Sequence, residues 1–145
     1  MLSDFAKLEM ESMGQDPAVL LPLENKLLSL GGEIFVGRYE ENIKELLTRG
    51  MLFISKKVKL VKMKTSHCHA NAGVFWKNYT EDNGEGSAQI VVGWGLSEDD
   101  QMWRQHSFIY LPKKKTIVET TVLRQIYFGY ILTEEEAQNH YDNNY

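Results

Sequence analysis

The stretches 88–96, 103–111, 116–121 and 127–132 are short, turn-bounded and rich in β-branched and aromatic residues, so the second half of this chain reads as a sheet. Pro112 with Lys113, Lys114 and Lys115 joins the second stretch to the third as a hairpin turn, the lysines forming a solvated tip. Side chains alternate across a strand, so His106 shares a face with Phe108 and Tyr110, and Glu119 shares one with Ile117 and Thr121. If the lysine tip is the centre of the hairpin, His106 falls opposite Glu119 or one diagonal away, within side-chain reach.

The first half reads as helical. Residues 3–13 place Phe5, Leu8 and Ser12 on one side, with Leu2 and Met13 near its edges, and Gly14 as the stop. Pro17 and Pro22 mark 16–30 as a turn followed by a short helix that Gly31 and Gly32 end. A clearer helix is expected at 38–49, where Tyr39, Ile43, Leu46 and Leu47 recur at helical spacing, Glu40 can pair with Lys44, and Gly50 supplies a stop. In 51–64, Lys56, Lys57, Lys59, Lys62 and Lys64 alternate with apolar residues. Weighed against an anion-binding strip, a half-exposed approach strand with solvated lysines is the expectation.

Between the halves, 65–79 holds the only cysteine of the chain at a helix start, with Thr65 or Ser66 as the expected cap. Cys68, Ala72, Phe75, Trp76 and Tyr79 share one helical face, which puts the thiol on the side that buries the helix. The positive end of the helix dipole favours thiolate over thiol there. A polar loop is expected at 80–87. Thr133 and Glu136 form a capping box for a last short helix, beyond which 137–145 is too polar to bury.

A carboxylate that accepts one N–H of an imidazole fixes its tautomer and leaves the other nitrogen to take a thiol proton. The chemistry is that of a cysteine hydrolase, with Cys68 as nucleophile, His106 as base and Glu119 as orienting group. Cys-His-x-Asn-Ala at 68–72, Gly93-Trp94-Gly95, Trp103-Arg-Gln-His-Ser-Phe108, 117–121 and Tyr127-Phe-Gly-Tyr130 together resemble the small papain-like and transglutaminase-like thiol proteins. The resemblance covers about residues 65–130. It implies an α+β fold in which N-terminal helices and the cysteine helix pack on an antiparallel sheet. It also implies an amide, peptide or related acyl substrate, handled as by peptidases, amidases, deamidases or acyl-transfer enzymes. None of the six residues before Cys68 is the glutamine that papain-like proteases use to help hold the oxyanion.

At 145 residues, 43% hydrophobic and 25% charged, the chain suits one domain, with 1–64 as a helical N-terminal part and approach strand. Residues 65–132 then form the cysteine helix and sheet, and 133–145 the C-terminal helix and tail. Asp4, Lys7, Glu9 and Glu11 interrupt the first residues, so no secretory signal is expected, and a single cysteine suits a reducing cytoplasm. No apolar run approaches the roughly 20 residues of a membrane helix, and a net charge of −4 gives no general attraction to nucleic acid. No cofactor is expected.

Other readings stand beside this one. Cys68 can be a small buried hydrophobe, Glu119 a surface residue, and Asn71 either part of the site or solvent-facing. Gly93-Trp94-Gly95 either lines an acyl pocket or marks a close packing contact. The scaffold can be an inactive protein-binding module, with Trp94, Trp103, Tyr127 and Tyr130 as contacts if they are exposed. Zinc on His67, Cys68, His69 and His106 is disfavoured, because consecutive residues at a helix start point in different directions. His140 has no expected role.

Overall fold

Ser3 accepts a hydrogen bond from the Ala6 N–H at 3.1 Å and starts α1 (Asp4–Ser12). Asp16 caps the 3-10 turn Pro17–Leu20, which leads into α2 (Leu21–Leu30). The chain continues through β1 (Ile34–Phe35), α3 (Ile43–Arg49), β2 (Met51–Leu52), β3 (Lys57–Leu60), α4 (Cys68–Asn83), β4 (Gln89–Leu96), β5 (Met102–Leu111), β6 (Thr116–Glu119), β7 (Ile126–Ile131) and α5 (Glu134–Asn144). This computed structural model describes residues 2–53 and 57–144; Lys56 of the lysine-rich stretch and Tyr145 of the expected tail lie outside them.

The fold is α+β. The seven strands form one open, mostly antiparallel sheet in the order β2-β7-β4-β5-β6-β3, with β1 beside β5; β1 with β5 and β3 with β6 are the parallel pairs. The helices cover one face of the sheet, where Leu20, Leu23, Leu27, Trp94, Trp103 and Ile109 are fully buried. Each buried leucine contributes about 1.5–3 kcal/mol relative to an exposed one. Two indole groups tie the first half to the sheet: Trp94 Nε1 donates to Glu40 Oε1 at 3.1 Å and Trp103 Nε1 to the Gly31 carbonyl at 2.8 Å. The opposite face carries a smaller cluster of Phe53, Val91, Phe108, Ile117 and Tyr127.

Several expectations are corrected. In α1 the inward face is Ala6 and Met10, with Leu2 buried just before the helix, while Phe5 and Leu8 are 77% and 67% exposed. The helix is rotated because Glu9 accepts from the Tyr39 N–H and Gln15 holds both backbone groups of Glu40, which turns Met10 toward the core. The expected 38–49 helix begins only at Ile43, and Glu40 is buried, accepting from Trp94 and the Asn42 N–H instead of reaching Lys44. The expected 80–87 loop shrinks, because α4 continues to Asn83.

The capping box at Thr133 and Glu136 forms reciprocally, at 2.8 and 3.2 Å. The segment beyond it is not a free tail, since Ala137 is buried and the Tyr141 backbone approaches Gly73 of α4. Glu136 also pairs with Arg49 at 2.9 Å, which holds the carboxyl down at about 2 and ties the end of α3 to α5.

Gly93 is a close packing contact. A Cβ there would lie 2.0 Å from the Phe128 carbonyl oxygen of β7, where only backbone movement relieves the clash. Gly93→Ala is expected to cost about 3 kcal/mol and lower Tm by roughly 10 °C in a thermal melt. An unchanged Tm would contradict this packing of β4 on β7.

Candidate active site

An opening in the sheet positions the site. Along one side of β5, pairing with β1 ends at Phe35–Trp103 and pairing with β6 begins at Ile109–Val118. Residues 104–108 therefore have β4 on one side and, among the described residues, no strand on the other. The first turn of α4 fills that opening: His69 Nδ1 is in hydrogen-bond contact with Ser107 Oγ, and Cys68 meets His106. A thiol from the helix layer thus reaches an imidazole rooted on the opposite face of the sheet.

The expected hydroxyl cap does not form. His67 is the residue that precedes α4, with no side-chain cap, and Ser66 has a left-handed φ of 60°. The N–H groups of Cys68, His69 and Ala70 are first-turn donors with no carbonyl four residues back within the helix, whereas Asn71 is the first to bond back, to His67. Asn71 is buried, and its side-chain amide donates to the Lys64 carbonyl at 2.7 Å. Its role is to tie down the chain entering α4.

His106 is fully buried, and its Nε2 lies 2.7 Å from Glu119 Oε1. Phe108 stands next in register to Glu119, beyond the Ile109–Val118 pair, so His106 is one diagonal away. Glu119 is not a surface residue: it is fully buried with both oxygens occupied. Oε1 also accepts from the Tyr127 hydroxyl at 2.9 Å, and Oε2 accepts from the Thr121 N–H and hydroxyl, each at 3.0 Å. His106 Nδ1 is buried and has no hydrogen-bond partner among the described residues, and the ring interacts with the Cys68 thiol.

The electrostatics follow from these contacts. Burial pushes the Cys68 thiol up, but interaction with His106 and His69 outweighs it and brings the pKa from 9.0 down to about 5. Burial works against charge on His106 as well, yet Cys68 and Glu119 raise its pKa. For Glu119, burial is outweighed by the His106 hydrogen bond and charge, and the carboxyl is held below its ordinary value. The three groups therefore favour thiolate, imidazolium and carboxylate together. Tyr127 is shifted the other way, kept protonated by burial and by the neighbouring carboxylate, so it remains a donor.

A cavity of about 450 Å³ opens beside the thiol, with Ser66, Arg38, Arg104, Gln105, Thr121 and Arg124 among its walls. Gln105 donates to the Tyr39 carbonyl at 2.7 Å and is already engaged.

The aromatic contact candidates Trp94, Trp103, Tyr127 and Tyr130 are all buried, which removes the surface on which a binding-module reading relied. Among the described residues no group of three or more His, Cys, Asp or Glu side chains is arranged for a metal ion. His140, expected to be idle, donates from Nε2 to the His69 carbonyl at 2.7 Å, and burial lowers its pKa. Sequence reasoning missed Thr121, Tyr127 and His69 as partners of the three groups. Only the same-face spacing of Thr121 with Glu119 signalled any of them. Comparisons with protein-family models, curated proteins and solved structures gave no match.

The alkylation rate of Cys68 by iodoacetamide is expected to rise through a limb near pH 5 and then level off, following the thiol pKa of about 5. At pH 6 an ordinary thiol of pKa about 8.5 is ionised some 300-fold less, while the lower basicity of the Cys68 thiolate costs roughly 40-fold in nucleophilicity. The net expectation is about tenfold faster reaction than a free thiol at that pH. In His106→Ala the strongest of the influences that hold the thiol pKa down is lost, and the limb moves upward. An ordinary thiol limb in the wild type would contradict the assigned geometry.

Proposed function

We infer that the protein is a cysteine-dependent hydrolase or acyl transferase acting on an amide, peptide or related acyl bond. The reading rests on one observation above the others: His106 is bonded through Nε2 at 2.7 Å to a buried carboxylate, while its ring interacts with the only thiol of the chain and its second nitrogen carries no other bond among the described residues. Support also comes from the order of the parts, a cysteine opening a helix, a histidine on one strand and a glutamate on the next. This is the order that papain-like and transglutaminase-like thiol proteins use. A reducing cytoplasmic compartment suits a single thiol that must stay reduced.

In this reading the Cys68 thiolate attacks the acyl carbon, forming a carbon–sulfur bond while the carbonyl π electrons move to oxygen. The N–H groups of Cys68 and His69 at the start of α4 are the donors at hand for that oxyanion. The tetrahedral species collapses, the carbon–nitrogen bond breaks, and the His106 imidazolium gives its proton to the departing amine. Neutral His106 then takes a proton from water, or from an acceptor amine, as that nucleophile attacks the thioester. Breaking the carbon–sulfur bond returns the thiolate and the imidazolium. Glu119 keeps the imidazole in the tautomer and orientation that both proton transfers require.

The test is acylation by p-nitrophenyl acetate, followed as a burst of nitrophenolate and as an acetyl group on the intact protein. The wild type is expected to burst in proportion to enzyme and carry one acetyl group at Cys68, and Cys68→Ala to give neither. Glu119→Gln is expected to slow acylation by about 10- to 100-fold and to move its acidic limb upward, since the imidazolium loses its charged partner. Equal acetylation of Cys68→Ala and wild type would overturn the reading.

A further inference from the structure

The wall of the cavity beside Cys68 contains three arginines and, among the described residues, no carboxylate. This contrasts with a chain whose net charge is −4. Two of the arginines are already matched. Arg104 makes a two-pronged pair with Asp100 at 2.7 and 3.3 Å, and Arg38 lies 3.5 Å from Glu9.

Arg124 differs. Its Nε donates to the Val122 carbonyl at 3.1 Å and its Nη1 to Ser97 Oγ at 3.3 Å, both neutral acceptors. Its stem packs over Gly95, where a Cβ would lie 3.0 Å from Cγ, so the missing side chain on β4 gives the arginine its place. The backbone N–H of Arg124 is held in turn by the Tyr127 hydroxyl, the group that also bonds Glu119. A half-buried arginine is therefore held at Nε, at Nη1 and along its stem, with Nη2 unbonded among the described residues, on the wall that it shares with the thiol.

The neighbouring cavity has the opposite character. It shares Arg38, His69 and Gln105 with the first and is lined by Glu9, Glu40 and Glu41. An anionic group is repelled from that end and drawn to the Arg124 end.

We propose that Arg124 forms an anion subsite beside Cys68, and that the acyl substrate carries a carboxylate close to the carbonyl under attack. The N–H groups of Nη2 can donate charge-assisted hydrogen bonds to a carboxylate, while the other two nitrogens hold the guanidinium in place. This assignment rests on the reading of Cys68 as the nucleophile, and the test separates the two.

Iodoacetate and iodoacetamide differ by a carboxylate against an amide and deliver nearly the same group to the same sulfur. The ratio of their rates at Cys68 therefore reports on the surrounding charge and cancels the thiol's own reactivity. Reading it at pH 9.5 as well, where an ordinary thiol is ionised and arginine remains charged, keeps the subsite measurable whether or not the thiol is activated.

The expected result is a wild-type ratio at least tenfold above that of 2-mercaptoethanol at pH 6 and at pH 9.5. It should fall by about tenfold in Arg124→Gln and be largely kept in Arg124→Lys, with far-UV circular dichroism confirming the fold of each. A wild-type ratio equal to that of 2-mercaptoethanol, or one unchanged in Arg124→Gln, overturns the subsite. A slow, ordinary thiol limb with both reagents, together with a raised ratio at pH 9.5, overturns the catalytic reading and keeps the anion site.

Discussion

The site is held together by a buried carboxylate whose oxygens are all answered. Placing an ionised Glu119 at zero exposure costs several kcal/mol in effective desolvation. The cost is offset only because four donors converge on it: His106, the Tyr127 hydroxyl, and the N–H and hydroxyl of Thr121. They come from three places, one from β5, one from β7 and two from the turn after β6. Removing one partner leaves a buried acceptor short of a bond, so the network favours a single arrangement of the three strand segments. The orientation of the imidazole follows from that arrangement, and with it the direction in which the remaining ring nitrogen points.

The topology supplies the other half. A continuous sheet would separate a helix on one face from an imidazole on the other. Here β5 changes neighbours, from β1 to β6, and the gap between them admits a helix end. Side chains bridge the gap instead of a ladder: His69 of α4 meets Ser107, and the Gln105 amide donates to the Tyr39 carbonyl. The helix end that enters brings its free N–H groups and its thiol with it. A gap in the ladder, costly for a sheet, becomes the place where helix and strand chemistry meet.

How much of this is legible in the sequence depends on the range of the interaction. Strand alternation and a hairpin centred on Lys113–Lys115 suffice to place His106 and Glu119 on one face within a diagonal, because both are local patterns with a fixed period. The placing of Cys68 in the first turn of a helix is equally local, although the cap expected at Thr65 or Ser66 is not the one that forms. The rotation of α1 is not. Nine residues carry two apolar stripes, and Glu9 and Gln15 choose between them through the backbone at Tyr39 and Glu40. The 38–49 helix starts late for a similar reason, since Glu40 is taken by Trp94, 54 residues away. The burial of α5 against α4 depends on Gly73, whose lack of a side chain matters only once Tyr141 arrives. Arg124 carries no pattern at all, being one charged residue in a turn until the fold sets it against Gly95.

His140 shows how a polar C-terminal helix serves the reactive end of another. Burial lowers the pKa of His140, which favours the neutral ring, and a neutral ring has one N–H to place. Nε2 lies 2.7 Å from the His69 carbonyl, so the proton resides on Nε2 and the bond secures the first turn of α4 from behind. His69 is held in front through Ser107, so the residue next to the thiol is fixed at both its backbone and its ring. In the proposed reaction that fixation matters, because a thiolate and its donors would have to keep their geometry as charge moves onto the oxyanion, when a small misplacement is costly.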